Sequence, residues 1–307
     1  MKNKLFIVFL AVLFIFIVVT RFSFFSKIKN TAQSKTTITT SFYPLYFFTQ
    51  KIVGDTADVI NITPSAAEPH DYEPTAQDIA RMHDSDILVL NGGKFESWGE
   101  DIVANLSGSD TEVVFVSDKL MSNKFVDESG DTIPDPHVWL DPVLAKEQVK
   151  IISEALKTKD PANADLYTKN TDELLLSLDQ IDQAYHNGFN NCKQKTFVTS
   201  HSAFGYLASR YGITQLSISG LSPDSEPSPK NLSDVTAFVK KHRIPVIFFE
   251  NLVSPKLSET IAKEVGVKTL VLNPIEGLTK EEISQGKNYF TEMNSNLNNL
   301  KIALQCQ

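Results

Sequence analysis

Cysteine is scarce: Cys192 and Cys306 are the only two in 307 residues, too few and too far apart for a thiolate metal site or a C-x-x-C redox pair. There is no H-E-x-x-H to hold a catalytic zinc on one helix face and no G-x-S-x-G to expose a nucleophilic serine. The Gly92-Gly93-Lys94 run lacks the upstream glycine of a phosphate-binding loop. A surplus of basic charge is missing too. Against 29 Lys and Arg stand 37 Asp and Glu, and the net charge of -8 comes from scattered carboxylates, not from an acidic tail. Such a balance argues against nucleic acid as a partner and mildly favours cations.

What is present begins with an apolar run from Leu5 to Val19, preceded by Lys2 and Lys4 and followed by Arg21. Residues 1–30 are therefore expected to be a signal peptide or an uncleaved N-terminal membrane anchor. No small-x-small cleavage site and no lipid-bearing cysteine follows the run, which leans the reading towards a retained anchor. Outside the cytoplasm a disulfide persists. Two readings of the cysteines stand side by side: a Cys192–Cys306 bridge closing a loop of more than a hundred residues, stabilising by roughly 4 to 5 kcal/mol on chain entropy alone, or two unpaired thiols.

The rest of the chain alternates strand-like and helical stretches. TTITTSFY (36–43), ADVINITP (57–64), DILVLNG (86–92) and EVVFVS (112–117) form one set of strands; KTFVTS (195–200), ITQLSIS (213–219), IPVIFFE (244–250) and KTLVLNP (268–274) form a second. Helical segments such as PTAQDIARMHDS and SPKNLSDVTAFVKKHR separate them. Strand-helix alternation implies parallel sheets, here built twice. Between the sets, Leu174, Leu178, Ile181 and Tyr185 mark one face of a helix over about 163–187 with no internal proline or glycine. Some 25 residues at 1.5 Å each span about 37 Å, enough to join two lobes as a stiff spine. The expected fold is α/β: two (β/α) lobes with mainly parallel sheets, at 36–160 and 191–307, joined by a long rigid backbone helix within 161–190.

Three histidines stand where strands give way to loops: His70 in SAAEPHDYEPTAQD, His137 in IPDPHVWLDP and His201 in KTFVTSHSAFGYLASRYG. Open α/β folds bind ligands at the carboxyl ends of parallel strands. Three neutral imidazoles meeting in the crevice between lobes make a zinc site. His83, His186 and His242 lie in polar helical segments and read as structural. Asp71, Glu73 and Asp141 are candidates for fixing imidazole tautomers, and equally for capping helices. Trp139, beside His137, reads as cleft wall or core.

Taken in order, EPHDYEPTAQD, PHVWLDP, VTSHSAFGYLASRYG, GLSPDSEPS and VLNPIEGLT resemble the zinc-uptake branch of the metal-binding solute-binding proteins of bacterial ABC importers. The resemblance runs from residue 36 to the end. It implies one transition-metal ion in the inter-lobe cleft, with His70 and His137 as the first two ligands and His201 at the position that is His in zinc receptors and often Glu in manganese receptors. The fourth ligand it implies is Glu276 of LNPIEG, with Glu68 as a rival and Glu250 as a residue behind the ligands. The stretch SNKFVDESGDTIPDP has no histidine, so the His-rich loop of some relatives is not matched.

The function so implied is an extracytoplasmic receptor that passes Zn2+ to an ABC permease, tethered to the membrane by its N-terminal segment and acting as a monomer. Mn2+ is the alternative cargo, and a metal-dependent surface adhesin is an alternative role. A zinc hydrolase, which needs an open coordination position and a carboxylate base, has no motif in its favour. No catalytic residue is expected.

Overall fold

The computed structural model describes residues 35–126, 132–223 and 225–307. The expected signal or anchor and the DESGD stretch at 127–131 lie outside the described residues. Among the described residues, no helix is long and apolar enough to cross a membrane.

Thr36–Gln307 forms one compact unit built around two four-stranded sheets. The first lobe runs β1 (Thr36–Thr40), α1 (Tyr43–Val53), β2 (Ala57–Asn61), α2 (Ala76–His83), β3 (Ile87–Leu90), α3 (Gly99–Asn105) and β4 (Glu112–Phe115). Its strands lie in the order β2-β1-β3-β4, all parallel. A short antiparallel hairpin follows, β5 (Lys124–Val126) with β6 (Thr132–Pro134). It lies within the SNKFVDESGDTIPDP stretch that leads to His137. Then come α4 (Pro142–Lys159) and the long α5 (Ala164–Gly188).

The second lobe runs β7 (Thr196–Thr199), α6 (Gly205–Arg210), β8 (Thr214–Ser217), α7 (Pro229–His242), β9 (Val246–Phe249), α8 (Lys256–Val265) and β10 (Lys268–Val271), and ends with α9 (Lys280–Ser284) and α10 (Tyr289–Leu304). Its order, β10-β9-β7-β8, is again parallel. Counted within the lobe it is the 2-1-3-4 order of the first, so the duplication read from the sequence is borne out.

Local chemistry sets the helix starts. Thr75 accepts from the Asp78 amide while the Asp78 carboxylate accepts from the Thr75 amide, a reciprocal cap on α2. Asp141 caps α4 ahead of Pro142, and Ser228 caps α7 ahead of Pro229. The strands end earlier than the apolar runs suggested: β1 stops at Thr40 and Tyr43 already opens α1, with Pro44 in its first turn. Just beyond the strand ends the chain stays buried, as at Phe42, Ile62, Val116, Ile218 and Leu272, and the last four still donate to the neighbouring strand. The hydrophobic signal therefore continues where the strand does not.

The spine α5 has the 25 residues expected and buries Leu174, Leu178, Ile181 and Tyr185 along one face. Asn170 donates to the Ile52 carbonyl at 2.9 Å, and the Tyr185 hydroxyl donates to the Met293 carbonyl at 2.7 Å. One helix thus grips the first lobe near its start and the second near its end. Cys192 and Cys306 are disulfide-bonded across 114 positions, which settles the pairing left open above. The bridge fastens the end of α10 to the segment that begins the second lobe. In chain-entropy terms a loop of this size contributes roughly 4 to 5 kcal/mol.

Candidate metal centre

His201 leaves β7 two residues beyond Thr199, and Glu250 directly follows β9. These two strands are neighbours whose connections diverge, the crevice where open parallel sheets place ligands. His70 lies on the loop after β2, and His137 opens a single 3-10 turn, Val138–Leu140, between the hairpin and α4. Glu276 sits on the loop after β10. The structure brings all four expected residues together: one donor atom from each of His70, His137, His201 and Glu276 lies within 4.8 Å of every other.

Three Nε2 atoms and one carboxylate oxygen converge. His137 and His70 are 3.2 Å apart at Nε2, and His201 and His137 are 3.4 Å apart. Glu276 Oε1 stands 3.4 Å from His70, 3.5 Å from His137 and 3.7 Å from His201 at the same atoms. The His137, His201 and Glu276 side chains are fully buried, and His70 keeps 9% of its side chain exposed. Both Glu276 oxygens are buried without a hydrogen-bond donor. A carboxylate so placed is costly to bury unless a cation is meant to meet it.

The rings are oriented from behind. His137 Nδ1 donates to Asp135 Oδ1 at 2.8 Å, and His201 Nδ1 donates to Glu250 Oε1 at 2.7 Å. A carboxylate only accepts, so each Nδ1 carries the hydrogen and each Nε2 is turned to the cluster. His70 has no such carboxylate among the described residues. Its ring meets Phe95 edge-on at 4.7 Å, within an aromatic wall that continues through Phe42 and Trp139.

Of the carboxylates singled out in the sequence, Glu250 stands behind His201, and Asp141 takes the helix-capping alternative. Asp141 caps α4 and is bound by the Arg210 guanidinium, with contacts of 2.7 to 2.9 Å. Asp71 and Glu73 are exposed. Asp135 was missed, although the D-P-H spacing carried the signal: proline between them folds the carboxylate back onto both the His137 amide and its ring. His83 and His186 sit exposed on helices, and His242 stacks on Phe238 at 4.2 Å.

Electrostatics follow from this crowding. Burial lowers the His70 pKa, and Glu276 only partly offsets it. For His137, burial pulls the same way, but the hydrogen bonds to Asp135 and contact with Glu276 outweigh it and the pKa rises. His201, facing Glu250 and Glu276, is raised well above the ordinary histidine value despite its burial. Burial would push the Glu276 carboxyl up, yet three imidazoles hold it well below the usual carboxylate range.

Glu68, the rival fourth ligand, behaves differently. Burial, then the charge of Glu276, pushes its carboxyl up to about 9. Its Oε1 accepts from the His70 amide at 3.2 Å, inside its own turn.

The loop carrying Glu276 is tightly built. Asn273, Glu292 and Asn296 are buried polar residues around it, and Ile275, immediately before Glu276, is fully buried in the left-handed region at φ 61°. That conformation costs an L-residue roughly 1 to 2 kcal/mol.

The model of the zinc-uptake complex component A periplasmic family matches residues 38–303. The chain belongs to that family. This member of it is 39% identical over 292 residues to the high-affinity zinc uptake system protein ZnuA of Bacillus subtilis, a match covering 91% of this chain and 92% of the relative. It is 40% identical over 280 residues to the zinc-binding lipoprotein AdcA of Streptococcus pneumoniae, covering 88% of this chain but 56% of that longer protein. Among solved structures, the Zn(II)-bound ZnuA-like domain of Streptococcus pneumoniae AdcA superposes with a TM-score of 0.76 at 40% identity, over 88% of this chain and 99% of the domain. The family is one of uptake components and not of enzymes.

Proposed function

We propose that the chain is an extracytoplasmic receptor that captures one Zn2+ ion on His70, His137, His201 and Glu276 and delivers it to the permease of an ABC importer. The observation that carries this reading is the spacing of the four donor atoms. Zinc bonds to nitrogen and oxygen are about 2.0 to 2.1 Å long, and a tetrahedron of such bonds has edges of roughly 3.3 to 3.4 Å. Five edges of the cluster measure 3.2, 3.4, 3.4, 3.5 and 3.7 Å. Three imidazoles and one carboxylate complete a closed four-ligand shell and suit zinc better than manganese, which takes more oxygen ligands.

Each residue has its part in capture. Asp135 and Glu250 keep the Nε2 lone pairs of His137 and His201 aimed at one point, so little reorganisation accompanies binding. Glu276 supplies the negative charge. His70, the ligand with some exposure, borders an inter-lobe cavity of about 900 Å³ lined also by Lys94, Phe95, Phe125 and Ser219. The cargo enters and leaves by that side.

The lobes are taken as 36–160 and 191–307 with the spine between them. Because α5 and α10 bind both, loading changes their relation only slightly, and the permease reads that small difference. The N-terminal segment serves as export signal or tether, and the receptor works as a monomer. The adhesin alternative draws nothing from the buried cluster.

Titration of the metal-free protein with Zn2+ and Mn2+, beside Glu276→Ala, tests the proposal. Tight one-to-one zinc binding that weakens in the variant is expected. A preference for manganese, or zinc affinity unchanged in Glu276→Ala, would overturn it.

A further inference from the structure

Glu276 reaches the cluster from a loop that has been left almost no freedom. Asn273 uses all four of its polar groups to fix it. Its amide donates to Asn296 Oδ1 at 2.8 Å, and its carbonyl accepts from Asn296 Nδ2 at 2.6 Å. Its own Oδ1 accepts from the Ile275 amide at 2.8 Å, and its Nδ2 donates to Glu292 Oε2 at 2.9 Å. The next carbonyl, of Pro274, accepts from Trp139 Nε1 at 2.8 Å, and the Trp139 carbonyl accepts in turn from the Tyr289 hydroxyl at 2.5 Å.

Two features show that this network does more than fill space. Ile275 is β-branched and left-handed, a combination that persists only where the surroundings over-determine the backbone. The bonds also converge on the three residues just before the carboxylate, and they come from both lobes. Trp139 is two residues beyond His137, so one indole hydrogen bond ties the backbone near the second ligand to the backbone near the fourth. A stable core needs none of this, since apolar residues of similar shape serve nearly as well as a satisfied polar cluster.

We propose that Asn273, Asn296 and Glu292 are positioning residues that set metal specificity. They hold Glu276 at one corner of a four-ligand shell and keep its carboxylate from swinging to admit the further oxygen ligands of an ion such as Mn2+. Intrinsic affinity already ranks zinc above manganese; the clamp widens that gap by making the alternative loop position break buried hydrogen bonds. This inference rests on the zinc reading of the site.

The test uses the full-length, metal-free protein and its Asn296→Ala, Asn296→Asp and Glu292→Gln variants. Three readouts are taken: zinc and manganese affinities, the visible spectrum of the Co2+-loaded protein, and thermal unfolding without metal. Co2+ absorbs strongly when four-coordinate and weakly at higher coordination number. Asn296→Ala is expected to lower the zinc-to-manganese affinity ratio about tenfold or more and to weaken the cobalt bands. Asn296→Asp keeps the acceptor for the Asn273 amide but sets a buried carboxylate oxygen against the Asn273 carbonyl, and should lower the ratio at least as far as Asn296→Ala. Glu292→Gln leaves Asn273 a neutral acceptor in place of a charged one and should lower the ratio in the same direction but by less than Asn296→Ala.

If Asn296→Ala and Asn296→Asp lower the melting temperature while leaving the affinity ratio and the cobalt spectrum unchanged, the clamp is structural only and the proposal fails. If Asn296→Ala does not fold, the Asn296→Asp ratio and spectrum decide alone. A wild-type protein without a four-coordinate cobalt spectrum is a separate failure, that of the zinc site itself.

Discussion

The two lobes share a sheet order, and each sets a glutamate across the point where its first and third strands part. In the first lobe, Glu96 accepts from the Ser41 hydroxyl at 2.6 Å and from the Asn91 and Gly92 amides at 2.8 and 3.0 Å. In the second, Glu250 accepts from the Ser200 hydroxyl and from His201 Nδ1 at 2.7 Å. The segments leaving the first strands are Thr40-Ser41-Phe42 and Thr199-Ser200-His201. One residue separates their fates. Phe42 turns into the aromatic wall against Phe95 and Trp139, whereas His201 turns its Nε2 to the cluster. The same crevice is a structural joint in one lobe and aims a histidine at the donor cluster in the other. The first lobe supplies its histidines from loops instead.

The most severe way to break this comparison is at His201 itself. His201→Ala should weaken zinc by well over the roughly 100-fold that bounds the loss of a supporting residue, measured by competition with a chelator; a smaller effect would mean the second lobe does not hold the ion. Lowering pH should act next. Protons and zinc compete for the same Nε2 atoms, and His137 and His201 have their pKa raised by Asp135, Glu250 and Glu276. Competition therefore begins above the ordinary imidazole value of about 6.5 and grows as pH falls, by roughly tenfold per pH unit for each proton displaced. Affinity that stays flat between about pH 7.5 and 5.5 would contradict histidine ligation.

Paired variants sharpen the contrast between the lobes. Glu250→Gln should cost zinc affinity roughly 10- to 100-fold by replacing the charged carboxylate behind His201 with a neutral amide. Glu96→Gln should leave zinc within a few-fold and instead destabilise the fold by about 1 to 3 kcal/mol, because an amide hydrogen would face the Gly92 N–H. Equal losses of zinc binding in the two variants would erase the distinction. The smallest effect expected is that of His242→Ala, an exposed ring stacked on Phe238, with zinc affinity unchanged on the same assay.

Much of this was legible in the sequence because period and order survive folding. The twin βα sets, the spine stripe and the three histidines at strand ends needed no contact information. Glu276 was reached only through family resemblance, since nothing in the spacing of LNPIEG points to His201. Asp135 lies on the amino side of His137, away from the helix-forming side where Asp141 stands, and only the backbone bend at Pro136 brings its carboxylate to the ring. The hairpin was hidden for another reason: three-residue strands rich in Asp, Pro and Gly surroundings carry too little alternation to read. The Asn273–Asn296 pairing joins residues 23 positions apart on a loop and a helix, a contact no local pattern announces.

The position of α10 in the chain gives the site a schedule. A polypeptide emerging from its amino end presents His70, His137 and His201 well before Glu276, while Asn296 and Cys306 come later still. On the clamp proposed above, the fourth corner is held only once that helix has docked against Trp139 and Asn273. An unfinished or clipped chain would offer three imidazoles without the carboxylate that completes them. Firm hold on the ion is thus a late acquisition, reserved for molecules that have finished folding.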